Sequence, residues 1–340
     1  MILQAFFGGF QGGSAVVKRG FAASSAKTVS ALVRWHRLGD KRDMTQTPDI
    51  LCIGSVLWDV VGRRPGAMVQ GDDKPGQIVR LPGGVALNVA MALQRAGMSP
   101  ALLSCVGQDA EGDHLLAICA DMGLDVTHLY RSKSLRTDIY MAIEAAGDLV
   151  AAMADARSLE QAGAAILNPL VDGRLGSLDA PYAGTIVLDG NLTEDLLAKI
   201  SSNPLFRAAD LRVAPASPGK AERLKPILPH PRLTLYANLQ EANLLCGEAF
   251  TTATEAAQAL GKMGARRAIV TNGDRPLAQI CENGLVEATP PPVNVTRITG
   301  AGDTFMAGHI AAELRGLDRQ PALAAALEVT AAYISESALS

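Results

Sequence analysis

The feature that most constrains the fold is a regular alternation of short apolar runs with longer segments of helical spacing. The short runs are rich in Ile, Val and Leu and end in Gly, Ser, Asn or Asp, which is typical of buried strands. They are DILCIGSV (49–56), ALLSCVG (101–107), GTIVLDG (184–190), LRVAPA (211–216), LTLYAN (233–238) and RRAIVTNG (266–273). The predicted helical segments are GGVALNVAMALQRAG (83–97), DHLLAICADMG (113–123), LTEDLLAKI (192–200), GKAERLKPIL (219–228), LQEANLLCG (239–247) and TEAAQALGKMG (254–264).

Repeated strand-and-helix units predict a central, mainly parallel sheet with helices on both faces, which is a three-layer α/β/α fold. Two parts of the chain depart from this rhythm. DVVGRR (59–64) with QIVRLPG (77–83), and TDIYMAIEAAGDLVAAMA (137–154), alternate and turn back like antiparallel hairpins. They predict a small accessory β lid over one edge of the main domain, at about 59–81 and 138–154.

Composition excludes several classes of function. The 31 basic and 34 acidic residues give a formal charge of −3, which argues against a nucleic-acid partner. The five cysteines are widely spaced and contain no C-x-x-C pair, so reduced thiols in a cytoplasmic protein are expected rather than disulfides or a zinc site. No apolar run reaches about 18 residues, so no membrane span is expected.

The first 43 residues differ from the rest, since they are basic and carry no acidic residue before Asp40. This composition resembles an organellar transit peptide, and equally a stretch translated upstream of the true start. Because Met44 stands just before the first predicted strand, we favour the second interpretation. Residues 1–44 are therefore predicted to lie outside one domain at 45–340, with organellar import as the alternative to a cytoplasmic location.

The segment ITGAGDTFMAGHI (298–310) places three small residues, Gly300, Ala301 and Gly302, before a helix that carries Asp303 in its first turn. Small residues let successive N–H groups approach an anion, and the positive end of the helix adds to their effect. A carboxylate beside such a cradle makes sense where it takes a proton from a bound group. The alternative is that Asp303 only caps the helix and the glycines form a tight turn.

Polar residues also follow the first predicted strand and open the first predicted helix. Asp59 stands just past the strand, where ligand sites of open parallel sheets gather, although an acid there is more often a solvated loop residue. Gly83 and Gly84 precede a helix that carries Asn88 among Val, Ala and Leu. As an alternative to binding a ligand, Asn88 could hydrogen-bond the backbone within the core.

Two later strands end in polar residues as well. Asn238 and Glu241 form an N-x-x-E arrangement at a strand-to-helix turn, which a capping pattern also explains. Thr271 and Gly273 end the strand AIVTNG, in a pattern that suits a phosphate or nucleotide and is equally ordinary as a turn. Each of these motifs is weak by itself.

In their order and spacing, these motifs together resemble the ribokinase-like, or PfkB, carbohydrate and nucleoside kinases. The resemblance covers about residues 48–334 and is carried most specifically by TGAGD (299–303) and PGGVALNVA (82–90). The N-x-x-E and T-x-G motifs come in the expected order between them. The resemblance implies a ribokinase-like fold with an accessory lid, ATP as phosphoryl donor and Mg²⁺ as cofactor.

The resemblance also implies a role for each motif. Asp303 corresponds to the catalytic base, and the N–H groups of Ala301, Gly302 and Asp303, in a turn shaped by Gly300, correspond to an anion hole. The positions that correspond to sugar-binding residues are Asp59, Gly83, Gly84 and Asn88. Those that correspond to the ATP and Mg²⁺ side are Asn238, Glu241, Thr271 and Gly273, with Glu241 expected to bind Mg²⁺ through water.

Within the family, three stretches are most similar to pseudouridine kinases: GDLVAAMADARSLE (147–160), IVLDGNLTEDLL (186–197) and APASPGKAERLK (214–225). They make Ser217 and Lys220 candidates near the substrate or phosphates, with a solvated lysine as the alternative for Lys220. Ser55 is a further candidate for a sugar or base hydrogen bond. The implied function is ATP-dependent phosphorylation of the 5′-hydroxyl of pseudouridine or a close nucleoside. The alternatives are a kinase for ribose, another simple sugar or adenosine, and an inactive nucleoside-binding relative.

Arg297 departs from the family pattern, which commonly has an acid or amide two residues before the T-G of the signature. A fixed positive charge at that position argues against activation by a monovalent cation. The resemblance leaves two subunit arrangements open, a monomer and a homodimer formed through the lid.

Overall fold

The computed structural model describes residues 48–146 and 148–335, so the predicted leader at 1–44 lies outside the described residues. Its main sheet has eight strands in the order β14-β13-β12-β11-β10-β9-β1-β4. The strands are β1 (Ile50–Ile53), β4 (Pro100–Leu103), β9 (Thr185–Asp189), β10 (Asp210–Ala214), β11 (Leu233–Asn238), β12 (Ala268–Asn272), β13 (Arg275–Cys281) and β14 (Gly284–Ala288). All neighbouring pairs from β4 to β12 are parallel, and β13 and β14 continue the sheet antiparallel. The prediction of a mainly parallel sheet is confirmed.

Helices cover both faces of this sheet, as predicted. They are α1 (Val85–Arg95), α2 (Ala110–Asp121), α3 (Arg157–Ala162), α4 (Glu194–Ser202), α5 (Leu239–Cys246), α6 (Ala253–Lys262), α7 (Ala301–Leu314) and α8 (Arg319–Ser335). Side chains of β1 alternate between two cores: Leu51 and Ile53 pack with α4 to α6, while Ile50 and Cys52 pack with α1, α2, α7 and α8. Among the described residues, no helix is both long and apolar enough to span a membrane.

Two predicted elements differ from the structure. The run ALLSCVG forms two strands rather than one, because the chain leaves the main sheet after β4 and pairs as β5 (Cys105–Gly107) with β6 (Tyr130–Ser132). The segment GKAERLKPIL is a 3₁₀ helix at Pro218–Ile227 rather than an α-helix. Pro226 lies inside it, and a proline ring disfavours continuation of a regular α-helix. Further 3₁₀ helices lie at Gly163–Leu170 and Pro204–Phe206.

The two segments predicted to form the lid make a separate sheet of four strands in the order β3-β2-β7-β8. Its strands are β2 (Leu57–Arg64), β3 (Gln77–Gly83), β7 (Ile139–Ala145) and β8 (Asp148–Asp155). The two outer pairs are antiparallel hairpins, as expected, but the central pair, β2 with β7, is parallel. This sheet is called the accessory sheet below.

Candidate active site

The predicted site residues gather at one edge of the main sheet because parallel strands present their carboxyl ends together. Ser55 follows β1, Asn238 ends β11 and Thr271 is the next-to-last residue of β12. Asn238 and Thr271 are direct partners in the register of β11 and β12. The N-termini of α1 and α7 reach the same edge, where Asn88 of α1 contacts Asp303 of α7.

Helix α7 begins with the turn Ile298–Gly302, called the glycine turn below. Gly300 is its N-cap residue and has a left-handed backbone with φ of 81°. The N–H of Ala301 donates to the carbonyl oxygen of Ile298 at 3.1 Å, so this member of the predicted amide set is engaged within the turn. The amides of Gly302 and Asp303 follow it, in the first turn of the helix, where N–H groups have no intrahelical acceptor. Gly302 is exposed, and a Cβ there would meet no atom within 4 Å.

Asp303 is partly buried and does not cap its helix. Instead, Asn88 donates from Nδ2 to Asp303 Oδ2 at 3.0 Å. Burial raises the pKa of Asp303 to about 7; the Asn88 hydrogen bond lowers it, and the charges of Asp189 and Asp59 raise it. A carboxyl group with this pKa can accept and release a proton near neutral pH.

Asp59 reaches the site from β2, the first strand of the accessory sheet. Burial raises its pKa to about 6. Gly83, its neighbour on β3, leaves room for it, since a Cβ on Gly83 would overlap the Asp59 carboxylate. Trp58 faces the opposite way and is 1% exposed, with its indole N–H donating to Glu111 O of α2 at 3.0 Å. This anchored tryptophan fixes which face of β2 presents Asp59.

Ser55 and the start of α1 are organised by Asp189, a fully buried carboxylate at the end of β9. Asp189 Oδ2 accepts hydrogen bonds from Ser55 N at 2.8 Å, Ser55 Oγ at 2.7 Å and Ala86 N at 3.1 Å. Gly84 passes directly over this group, with φ of 101°, and a Cβ there would overlap the Ser55 carbonyl oxygen. Ser55 is thus a structural link between β1 and α1. It is 2% exposed, and its hydroxyl also accepts from Val85 N and Asn191 Nδ2, both at 2.8 Å, so its role in substrate binding stays a prediction.

Asn191 connects Lys220 to this network. Lys220 Nζ donates to Asn191 Oδ1 at 2.6 Å, and Asn191 Nδ2 donates to Ser55 Oγ at 2.8 Å. Lys220 is half-buried, and burial lowers the pKa of its ammonium group. Its half-buried position and its hydrogen bond to Asn191 differ from those of a fully solvated lysine. Ser217 begins the same 3₁₀ helix, where its carbonyl oxygen accepts from Lys220 N at 3.0 Å.

Asn238 and Glu241 form the capping box that the sequence left as an alternative. Asn238 N donates to Glu241 Oε2, and Glu241 N donates to Asn238 Oδ1, both at 2.9 Å. Glu241 is nevertheless not an ordinary surface cap, because it is 7% exposed. Burial and, to a smaller extent, the charge of Asp303 raise its pKa to about 7, although the hydrogen bond from Asn238 N lowers it. Thr271 and Gly273 lie beside this pair at the end of β12, and Gly273 has a left-handed φ of 63°.

Within the part of the chain that the structure describes, no cluster of three or more His, Cys, Asp or Glu side chains could hold a metal by itself. Mg²⁺ usually keeps several waters and takes one or two carboxylates together with substrate phosphates. The buried Glu241, whose ionisation is opposed by burial and by the nearby Asp303, fits that type of site. A cation there would lower the cost of both negative charges.

Two functional candidates, Asp189 and Asn191, were missed by sequence reasoning. Asp189 and Asn191 stand in IVLDGNLTEDLL, and an acid at the end of a buried strand was the signal that identified Asp59. Arg297, by contrast, contacts Tyr333 of α8, with its Cζ atom 3.7 Å from the centroid of the tyrosine ring.

Comparison with known proteins assigns the family. Residues 47–340 match the model of the pfkB family carbohydrate kinases. The chain is 30% identical over 282 residues to YeiI, an uncharacterised sugar kinase of Escherichia coli, covering 80% of this chain and 74% of that protein. It is 29% identical over 276 residues to the pseudouridine kinase of Escherichia coli, covering 78% of this chain and 83% of that protein.

The fold is also that of a solved ribokinase. The structure of Arabidopsis thaliana ribokinase complexed with ribose and ATP superposes with a TM-score of 0.70, covering 86% of this chain and 94% of that one. At 17% identity, this likeness shows the ribokinase-like fold alone. Because the family model matches nearly all of the described chain and the fold agrees with it, the protein belongs to the pfkB family of carbohydrate kinases.

Proposed function

We propose that this chain transfers the γ-phosphoryl group of ATP to the 5′-hydroxyl of a nucleoside, with pseudouridine as the preferred acceptor and Asp303 as the base. The observation that carries the proposal is the 3.0 Å bond from Asn88 to Asp303. It supports the proposal because it joins a carboxyl group with a pKa of about 7, in the first turn of α7, to one of the predicted sugar-binding residues. That is the arrangement that phosphorylation of a hydroxyl group requires.

Each site residue has a separate role in the proposed phosphoryl transfer. Asn88 holds Asp303 Oδ2, so the proton of the acceptor hydroxyl would move to Oδ1 as the new O–P bond forms and the bond from the γ-phosphorus to the leaving ADP breaks. The amides of Gly302 and Asp303, with the positive end of α7, would stabilise the negative charge on the transferring phosphoryl group. Mg²⁺, held through water by Glu241, would neutralise charge on the phosphates of ATP. Asn238, Thr271 and Gly273 would contact the nucleotide.

The substrate assignment is supported by the Lys220–Asn191–Ser55 network and by the similarity to a pseudouridine kinase. The uracil ring of pseudouridine carries two carbonyl oxygens and two ring N–H groups. Lys220 and Asn191 supply an ammonium and an amide beside the predicted sugar site, which suits recognition of such a ring.

The test is a panel of acceptors with ATP and Mg²⁺, measured by ADP formation with pseudouridine, uridine, adenosine, ribose and fructose. We expect pseudouridine to give the highest kcat/KM. Preference for ribose or fructose would reject the substrate assignment and support the second candidate, a sugar kinase, which the 30% identity to YeiI favours. If no acceptor is phosphorylated but a nucleoside raises the Tm, the chain is an inactive binding relative.

The accessory sheet supports the homodimer over the monomer. Paired registers place Ile78, Ile143, Met141 and Met153 on one face of this sheet. They are 77%, 38%, 46% and 68% exposed, which is a large apolar area for a monomer to leave in water. We propose that a second copy covers this face, and sedimentation velocity of the wild type and of Met153→Glu measures it directly.

A further inference from the structure

The glycine turn is contacted by the last turn of α8. Tyr333 Oη donates a hydrogen bond to the carbonyl oxygen of Thr299 at 3.0 Å. The same hydroxyl lies against Gly300, where a Cβ would be only 2.7 Å from it. Residue 300 must therefore be glycine for two reasons, its left-handed backbone and the space that Tyr333 occupies.

Tyr333 is itself fixed by two other parts of the chain. The guanidinium of Arg297 stacks on its ring at 3.7 Å from the centroid, and Arg297 Nε donates to the Tyr333 carbonyl oxygen at 2.7 Å. Arg95, in the last turn of α1, places a second guanidinium 5.9 Å from the ring. Arginine over an aromatic face is an attractive arrangement. The ring is thus held by both side-chain and backbone contacts.

The segment that leads into the turn is also held by α8. Residues 289–300 contain neither helix nor strand. The N–H and Oγ1 of Thr296 both donate to the carbonyl oxygen of Ile334, at 2.8 and 3.1 Å. The last turn of α8 therefore holds this segment at Thr296 and again at Thr299, immediately before the amides that face the site.

We infer that Tyr333 is a positioning residue for phosphoryl transfer, although it touches no reacting atom. By holding the Thr299 carbonyl, it fixes the orientation of the amides of Gly302 and Asp303. This role also accounts for Arg297, the residue that departs from the family pattern, because its guanidinium holds the Tyr333 ring. The kinetic consequence rests on the proposed function, whereas the effect on the order of the turn does not.

The first test compares Tyr333→Phe with the control Tyr130→Phe, a partly exposed tyrosine on β6. Losing one hydrogen bond that orients the transition-state donors is expected to lower kcat by about fivefold. KM for the acceptor and the Tm should stay near the wild-type values, which separates positioning from loss of fold. The control should match the wild type in all three. An unchanged kcat in Tyr333→Phe would overturn the inference.

The second test is a double-mutant cycle between residues 300 and 333. Gly300→Ala is expected to lower kcat severely, because the new Cβ meets the tyrosine hydroxyl at 2.7 Å. In the Tyr333→Phe background the nearest ring atom would be Cζ at 3.4 Å, so the same substitution should cost less. Additive losses would show that Tyr333 does not act on the turn.

Hydrogen exchange of the peptide covering 296–304, measured without ligands, keeps this inference separate from the proposed function. The amides of this peptide should exchange faster in Tyr333→Phe than in the wild type or in Tyr130→Phe. If the wild type phosphorylates no acceptor, the proposed function fails. Faster exchange in Tyr333→Phe would still support the role of Tyr333 in ordering the turn. Equal exchange in all three proteins would overturn it whatever the acceptor panel shows.

Discussion

Replacing Asn88 by alanine is expected to move the pH dependence of turnover rather than simply reduce it. Burial raises the pKa of Asp303 to about 7, and the Asn88 hydrogen bond opposes that rise by favouring the ionised form. A hydrogen bond to a charged group contributes about 1.5 to 3 kcal/mol, and one pKa unit corresponds to about 1.4 kcal/mol. Losing it should raise the pKa of Asp303 by about one to two units.

The size of the effect at pH 7 follows from the ionised fraction of Asp303. About half of the wild-type carboxyl groups are ionised there, against about one-tenth to one-hundredth in Asn88→Ala, so kcat should fall about 5- to 50-fold. Near pH 9 most of the loss should be recovered, because Asp303 is ionised again in the variant.

The assay is ADP release at saturating acceptor between pH 6 and about 9.5, where kcat reports the enzyme-substrate complex. Asn203→Ala, which removes an exposed amide that caps the 3₁₀ helix Pro204–Phe206, is the matched control and should keep the wild-type profile. A loss in Asn88→Ala that is equal at every pH would refute the assignment of Asp303 as the base, since ionisation would then not limit the reaction.

Three further predictions concern the Asp303 carboxyl group, the Lys220 ammonium group and the dependence on potassium. Asp303→Asn should lower kcat by about a thousandfold or more while a nucleoside still raises the Tm. The pKa of Asp303 is higher in the folded protein than in the unfolded chain, so folding favours the protonated carboxyl group. The contribution of this group to the free energy of unfolding is complete below about pH 4 and is lost as the pH rises through about 7. The Tm of Asp303→Asn should therefore gain on the wild type from pH 5 to pH 8, and a constant difference would contradict the raised pKa. Lys220→Met should lower kcat/KM for pseudouridine about tenfold without affecting a ribose side reaction, and an equal loss for both acceptors would remove Lys220 from base recognition. Exchanging potassium chloride for tetramethylammonium chloride at constant ionic strength should leave kcat within about twofold, since Arg297 supplies a permanent charge; strong potassium activation would contradict this.

Local sequence patterns predicted secondary structure best where the pattern of one segment reflects its burial directly. The Ile, Val and Leu runs at 50–53 and 185–189 became central strands because each alternates between two apolar cores. The run at 101–107 was misjudged, because nothing in its composition shows where the chain leaves one sheet for another. The parallel pairing of β2 with β7 was missed for a related reason, since their registers join segments about 80 residues apart, beyond the reach of hairpin signals.

The sequence by itself determined the alternation of strands and helices in the parallel part of the main sheet, the glycine turn before α7, and most of the polar residues at strand ends, although not Asp189. Periodicity and turn chemistry are properties of neighbouring residues, so they can be read without a fold. Only the tertiary structure decided which of these residues meet. Asn88 and Asp303 are 215 positions apart, and Ser55 and Asp189 are 134 apart. Their hydrogen bonds, the raised pKa of Asp303 and the contact of Arg297 with Tyr333 depend on how helices from distant parts of the chain pack on one sheet edge.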